Sequence, residues 1–308
     1  MTTTNSYKDT KAIDYLEAIK RNQLESRNSK SSSSNFDMTY SLPMTSSVGV
    51  ATSFTNTEKT IGDYDVVDNT GKLVAYLPMD YDTLDASNSN DGTITGTETY
   101  VDGPEISSTH PLRKAFSFNG STYITLANES NFDFDKTDPF STSFWINPNS
   151  SITDIDTIFS KDSNINNPSS AGYGSTFRTT NPHIDFRIQD GTTAYIVISS
   201  DNSTPYDKWT FIVLTKGSSA NQDAMKIYIN GVLDATGSTS TINNSILNNI
   251  SFIIGSAGAA RYFDGYITKF QVWNVELSSS DVTDLYAGKQ INKDTPAKPA
   301  YLGASDVA

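Results

Sequence analysis

Short apolar runs, separated by stretches rich in Gly, Ser, Thr, Asn and Asp, recur from about Lys72 to Asn274. That rhythm is the pattern of strands joined by turns. The runs are LVAYL (73–77), AFSFNG (115–120), STYITL (121–126), FSTSFWI (140–146), TIFSK (157–161) and HIDFRIQ (183–189). AYIVIS (194–199), WTFIVLTK (209–216), MKIYINGVL (225–233), SFIIG (251–255) and GYITKFQVWN (265–274) follow. HIDFRIQ alternates cleanly: Ile184, Phe186 and Ile188 share one face, Asp185, Arg187 and Gln189 the other. WTFIVLTK is apolar on both faces, which predicts a central strand. Asn230-Gly231 signals a hairpin and Asp190-Gly191 a second turn.

Helical spacing appears at the two ends. In residues 11–28, Ile13, Leu16 and Ile19 form a narrow stripe. Such a stripe does not hold a helix by itself; it packs on its own domain or docks on another subunit, and the linker SKSSSSN (29–35) directly after it favours docking. Residues 36–70 read as an extended arm or as one or two edge strands. SSSDVTDLYAG (278–288) predicts a closing helix, with Ser280 as N-cap, Asp281 in the first turn and Gly288 as the stop. About eleven strands with one terminal helix do not make a parallel α/β sheet, which needs alternating helices. Two packed antiparallel sheets are the simplest arrangement. The expected division is an N-terminal helical arm (1–28), a linker and extended segment (29–71), an all-β domain (72–290) and a C-terminal tail (291–308).

Composition narrows the chemistry. The 308 residues carry a net charge of −13, with 22 basic and 35 acidic side chains and no Lys/Arg cluster, which argues against nucleic acid and against anionic membranes as partners. The absence of cysteine removes disulfide scaffolds, Cys-ligated zinc and thiol catalysis. MTTTNSYKDTKAIDY at the start has no apolar core, so no secretory signal peptide is expected.

Several segments, in order, resemble the laminin-G-like, concanavalin A-like jelly rolls over about residues 72–290. LVAYLPMDYDTLDASNSNDGTITG (73–96) is similar to the opening strand and its Asp/Asn/Gly-rich loop. AFSFNGSTYITL (115–126) is similar to the paired strands around an Asn-Gly turn, and FSTSFWINP (140–148) to the Trp-bearing strand. DKWTFIVLTK with MKIYINGVL (207–233) resembles the Trp strand and Tyr-x-Asn-Gly hairpin, and FDGYITKFQVWNVELSSSDVTDLYAG (263–288) the closing strand and helix. The resemblance implies an all-β, two-sheet antiparallel jelly-roll sandwich that often binds glycans or proteins and often holds calcium. It does not imply one function, since the fold hosts lectins, adhesion modules, virion components and hydrolases.

Calcium takes about 6–8 oxygens from loop carboxylates, amides and carbonyls. The densest oxygen cluster, with Asp80, Asp82, Asp85 and Asn90, meets that description, and Asp264 is a further candidate. By resemblance, Asp85 matches the family's loop aspartate, whereas the closing strand carries Thr268 and Lys269 where the family has an acid. The alternative is that these Asp and Asn side chains simply build turns. For glycans, aromatic platforms beside polar groups are needed. Trp145, Trp209 and Trp273 lie in strands and are expected to be buried in the sandwich. Tyr173, Phe177 and Tyr262, read as loop aromatics, with Arg178 and Arg261 beside them, are the ligand-binding candidates. The seven glutamates, Glu17, Glu25, Glu58, Glu98, Glu105, Glu129 and Glu276, nowhere form the close pair a retaining glycosidase uses. His110 and His183 read as surface histidines.

The expectation is therefore a non-enzymatic virion-surface protein, as capsid decoration, head fibre or tail-associated subunit. Residues 1–71 would contact other assembly subunits, a homo-oligomer would form in the assembly, and exposed loops would meet host glycans. A free extracellular carbohydrate-binding or adhesion protein is the alternative; a glycoside hydrolase is the third reading.

Overall fold

The computed structural model describes residues 72–288, apart from 88, 105–113, 153–154, 163, 166, 168, 220–223 and 259–260. The expected helical arm (1–28), the segment 29–71 and the tail (291–308) lie outside the described residues, as does His110. The strands are β1 (Leu73–Leu77), β2 (Gly92–Thr95), β3 (Tyr100–Asp102), β4 (Lys114–Asn119), β5 (Tyr123–Leu126), β6 (Phe140–Pro148), β7 (Asp156–Lys161) and β8 (Ala171–Arg178). They continue as β9 (His183–Asp190), β10 (Ala194–Ile198), β11 (Thr210–Lys216), β12 (Met225–Ile229), β13 (Val232–Gly237), β14 (Ile253–Ile254) and β15 (Asp264–Trp273). One α-helix, α1 (Ser279–Tyr286), follows.

These strands form two antiparallel sheets. The eight-stranded sheet runs β13-β12-β11-β6-β15-β4-β3, with β1 also on β15. The seven-stranded sheet runs β10-β9-β8-β7-β14-β5-β2. Strand β15 serves two partners on one edge: Asp264–Ile267 pair with β4, and Phe270–Trp273 pair with β1. A bulge between Thr268 and Gln271 makes the change, with Lys269 at φ 52°. There the Thr268 hydroxyl donates to the Pro78 carbonyl at 2.8 Å, tying the end of β1 to the bulge.

The core between the sheets is aromatic. Phe144 of β6 stacks on Phe270 of β15 at 5.4 Å, and Phe159 of β7 stacks on Phe252 at 5.4 Å. The two pairs meet edge-on, Phe159 against Phe270 at 5.6 Å, across the sandwich. All four rings are fully buried. Each such side chain contributes about 1.5–3 kcal/mol by burial, and each ring pair about 0.5–1.5 kcal/mol more.

A second apolar cluster lies on the far side of the eight-stranded sheet. Trp145, Phe211, Val213, Tyr228 and Trp273 pack there with Leu277 and Val282. Helix α1 closes over it: Val282 is buried, and Tyr286 stacks on Trp145 at 5.8 Å. Strand β11 is thus buried on both faces, as its sequence predicts. Trp145 and Trp273 are buried, but beneath the helix and not between the sheets. Trp209 precedes β11 and packs half-buried on the same cluster. The cap of α1 is Ser278, not Ser280: its hydroxyl accepts from the Asp281 N–H, and the Asp281 carboxylate accepts from the Ser278 N–H at 2.7 Å.

Strands β2, β3 and β8 were not legible in the sequence. In β8 (AGYGSTFR) two glycines suggest a loop, yet close approach requires them. A Cβ at Gly172 would stand 2.2 Å from the Lys161 carbonyl oxygen, and one at Gly174 2.6 Å from that of Phe159. Glycine in a strand interior marks such an approach. Among the described residues no helix is long and apolar enough to cross a membrane.

Two lysines are buried at strand ends. Lys161 pairs with Glu129 and with Asp133, the latter at 2.8 Å. Lys216 donates to the carbonyls of Lys136 and Asp138, and burial lowers its ammonium from 10.5 to about 8.

Replacing Phe270 with alanine is expected to cost about 3–5 kcal/mol, and Ser278→Ala about 1 kcal/mol, read by urea unfolding. Lys216 predicts a pH signature. Between about pH 8 and 10.5 the unfolded chain holds a proton that the folded chain has lost, so the lysine's contribution raises stability with pH there. Tyr173 and Tyr228, whose phenols burial raises above 10.0, reverse the trend at higher pH. A rise in stability from pH 8 to 10 that is absent in Lys216→Met is the expected result.

Candidate functional site: a groove on the outer sheet face

Strand β9 carries the site. Its inward residues Ile184, Phe186 and Ile188 are fully buried in the core. Its outward residues are His183, Asp185, Arg187 and Gln189. Register extends that face to both neighbours. On β8, Arg178 stands opposite His183, Thr176 opposite Asp185, Gly174 opposite Arg187 and Gly172 opposite Gln189. On β10, Ile198 is opposite Asp185 and Ile196 opposite Arg187.

The alternation predicts a solvated polar face, but the polar residues are covered. Asp185 is 1% exposed, Arg187 6% and Gln189 0%. The segment after β7 lies over the glycines of β8. Ile165 is fully buried, with its Cδ1 3.1 Å from where a Cβ of residue 174 would stand. Gln189 donates from Nε2 to Asp162 and to the Ser170 hydroxyl, both at 2.7 Å. Burial raises the Asp162 carboxyl above its ordinary value, against hydrogen bonds from Ser170, Asn164 and Gln189 that lower it.

Toward the other end of these strands the cover stops, and the face opens into a groove of about 390 Å³. Its lining is Ile155, Arg178, Thr179, Thr180, His183, Asp185, Ile196 and Ile198. Ile198 is 54% exposed. Asp185 organises the floor. Its Oδ2 accepts from Arg178 Nε at 2.5 Å and lies 3.9 Å from Arg187 Nη2, and its Oδ1 is 3.6 Å from His183 Nε2. His183 Nδ1 sits 2.9 Å from the Asn181 carbonyl oxygen. Desolvation lowers the Arg187 guanidinium below its ordinary value; Asp185 opposes that shift, and Arg178 and Arg261 reinforce it.

Of the ligand-binding candidates, Arg178 lies in the groove. Tyr173 and Phe177 do not: both are inward residues of β8, 1% and 0% exposed. Tyr173 lies against Phe140 at 4.6 Å and donates from its hydroxyl to the Phe132 carbonyl at 2.9 Å. Phe177 meets Tyr206 edge-on at 5.4 Å. Their placement on loops is corrected by the unrecognised strand. Arg261 and Tyr262 follow a turn beside β7, where the Thr157 N–H donates to the Arg261 carbonyl at 2.9 Å and Tyr262 bridges to Thr157. The groove residues missed from sequence are His183, Asp185, Thr179, Thr180, Ile155, Ile196 and Ile198. The signal for them was the run of polar alternates in HIDFRIQ.

The calcium candidates do not come together as one set. Asp85 is 8% exposed and its carboxylate is occupied by the chain itself. Oδ1 accepts from the Tyr76 N–H, the Ser87 N–H and the Ser87 hydroxyl, and Oδ2 from the Asn90 N–H. Those four bonds match the roughly four acceptor sites of a carboxylate. Asn90 is fully buried, donating to the Val74 carbonyl and accepting from Asn131. Asp82 accepts from the Leu84 N–H. Asp264 belongs to a separate set, with its Oδ2 accepting from Ser151 at 2.6 Å. Among the described residues no three acidic or histidine side chains are grouped to hold a metal. Asp85, Asn90 and Asp264 are engaged within the chain, where they shape the β1–β2 loop and the start of β15.

Comparison with known proteins adds the fold's relatives. The family described as the concanavalin A-like lectin/glucanases superfamily matches residues 118–283. Domain 4 of an extracellular arabinanase from Geobacillus stearothermophilus, solved with arabinotriose, is similar at 24% identity and a TM-score of 0.50, over 70% of this chain and 98% of that one. The binding domain of Paraclostridial Mosquitocidal Protein 1 is similar at 19% identity and a TM-score of 0.55, over 70% and 52%. The receptor-binding domain of a botulinum neurotoxin C/D mosaic serotype gives 19% and 0.53, over 70% and 51%. The chain thus spans about half the length of those toxin domains. A search of curated proteins gave no match.

Asp85→Ala is expected to destabilise the protein by about 3 kcal/mol or more, because buried donors lose a charged acceptor. Thermal melting with calcium and with a chelator checks the assignment: the two curves should coincide in the parent protein, and the variant should melt lower in both.

Proposed function

The chain belongs to the concanavalin A-like lectin/glucanases superfamily, and from that premise we propose that it is a non-enzymatic contact module whose outer sheet face binds a glycan. The groove carries this reading. An apolar wall of Ile196 and Ile198 stands beside hydrogen-bonding groups on Arg178, Thr179, Thr180 and His183. Saccharide recognition uses that mixture: apolar C–H faces need an apolar surface, and hydroxyls need fixed polar partners. The class of ligand agrees with the arabinotriose-bound domain that shares the fold.

Binding is favoured over hydrolysis by the groove's own carboxylates. Glycosidic cleavage uses two acids flanking the bond. Asp185 is the acid in this lining, and it is tied to Arg178.

The finer part of the proposal is display on a larger assembly, with a virion surface as the setting and residues 1–71 as the attachment. The sequence supports it through the apolar stripe Ile13, Leu16 and Ile19 followed by SKSSSSN. Homo-oligomerisation would multiply weak single-site contacts.

The full chain applied to a glycan array is expected to bind, with no loss on calcium chelation; silence across the array would overturn the glycan reading. Deleting residues 1–35 is expected to abolish incorporation into particles while leaving array binding intact, and unchanged incorporation would overturn the attachment role.

A further inference from the structure

The state of the groove's arginines specifies the ligand further. Arg178 gives only Nε to Asp185, at 2.5 Å, and no other hydrogen bond of its guanidinium is found among the described residues. Its side chain is 25% exposed, at the groove wall. The single bond to a buried acid fixes the plane of the fork, and two Nη groups remain to donate. Such an edge matches the two oxygens of a carboxylate.

Two outward positions further along the same face, Arg187 is short of partners. Its Nη2 is 3.9 Å from the same Asp185 oxygen, and its Nε is buried with no hydrogen-bond partner. Asp185 therefore serves two guanidinium groups with one negative charge. Asp162, the other acid near Arg187, is engaged by Gln189 and by the Asn164 N–H. In a chain of net charge −13, two of the three arginines among the described residues, Arg178 and Arg187, share this face. The flanking wall of Ile196 and the exposed Ile198 suits the C–H face of a ring.

Resting on the glycan reading above, we infer that the groove takes a carboxylated saccharide, with the sugar carboxylate on the Nη edge of Arg178 and the ring against Ile196 and Ile198. Arg187 lends its charge from behind and does not touch the ligand. Uronic and sialic acids share this chemistry.

Isothermal titration of the full chain with trigalacturonic acid, sialyllactose, neutral galactotriose and a sulfated galactose tests the inference. Either carboxylated sugar is expected to bind at least about tenfold more tightly than the neutral one, and to weaken as salt rises. Whichever acid binds better identifies the source. Arg178→Lys keeps the charge beside Asp185 but loses the fork, and is expected to weaken the acidic sugar about tenfold. Ile198→Glu changes an exposed residue and sets a like charge at the mouth against an anion; the expected loss is at least about tenfold. Both variants should melt like the parent.

Equal binding of neutral and acidic sugars, abolished by a bulky Thr180→Trp, would overturn the acidic preference and leave the glycan reading standing. Tighter binding of the sulfated sugar would overturn the carboxylate. Acidic-sugar binding unchanged in both Arg178→Lys and Ile198→Glu would overturn the location. Binding of no sugar would remove both readings together.

Discussion

The contact of Phe159 with Phe270 across the sandwich is the constraint on which the other features depend. Phe159 belongs to the seven-stranded sheet and Phe270 to the eight-stranded one. Each is held from behind by a stacked partner, Phe252 and Phe144. Once those rings face inward, the pleat fixes the opposite face of every neighbouring strand. The fold must then cover two outer faces, and it does so unequally. Helix α1 and a tryptophan-rich cluster seal the eight-stranded side. On the other side the segment after β7 covers part of the β8–β9 face and stops, and the uncovered remainder is the groove.

Electrostatics follow from that partial cover. Charges on β9 would sit in water if the face were bare. Covered, they lose solvation and must find partners within the sheet. Gln189 does so in part: its Nε2 donates to Asp162 and to Ser170, while its Oε1 is buried without a partner. Asp185 and the two arginines do not: one carboxylate answers two guanidinium groups. A buried pair of this kind rarely adds net stability over apolar packing. Its persistence beside an open groove, with donors still unused on Arg178, fits a binding role better than a structural one.

Much of the fold was legible because inward alternation survives in short strands. HIDFRIQ, FSTSFWI and WTFIVLTK each announce which residues face the core, and β11 announces burial on both sides. Strand β8 was not legible. Its glycines have the composition of a loop, and the reason they are there, contact with the Lys161 and Phe159 carbonyls, exists only once the sheet is assembled. That one omission misplaced Tyr173 and Phe177, since aromatic residues in an assumed loop look like ligand platforms. The acidic loop shows the same difference between composition and setting. Asp85 has the residue type and setting of a cation ligand, yet its oxygens are filled by N–H and O–H groups from Tyr76, Ser87 and Asn90. Sequence shows which acids are near one another along the chain, not which acceptors remain free.

The same distinction governs the groove. Arg178 was legible as a candidate, but as the neighbour of loop aromatics. Its actual setting comes from register: β8 places it opposite His183, and β9 brings Asp185 one pleat away to orient its guanidinium. Neither relation is visible in a linear reading, because the two strands must pair before the residues meet. The polar alternates of HIDFRIQ could have located the site had they been taken as a face to be covered instead of a face turned to water. Whether a polar strand face is surface or site is decided by what the rest of the chain lays over it, and here that cover contacts Gln189 and Gly174, away from the end that carries Arg178.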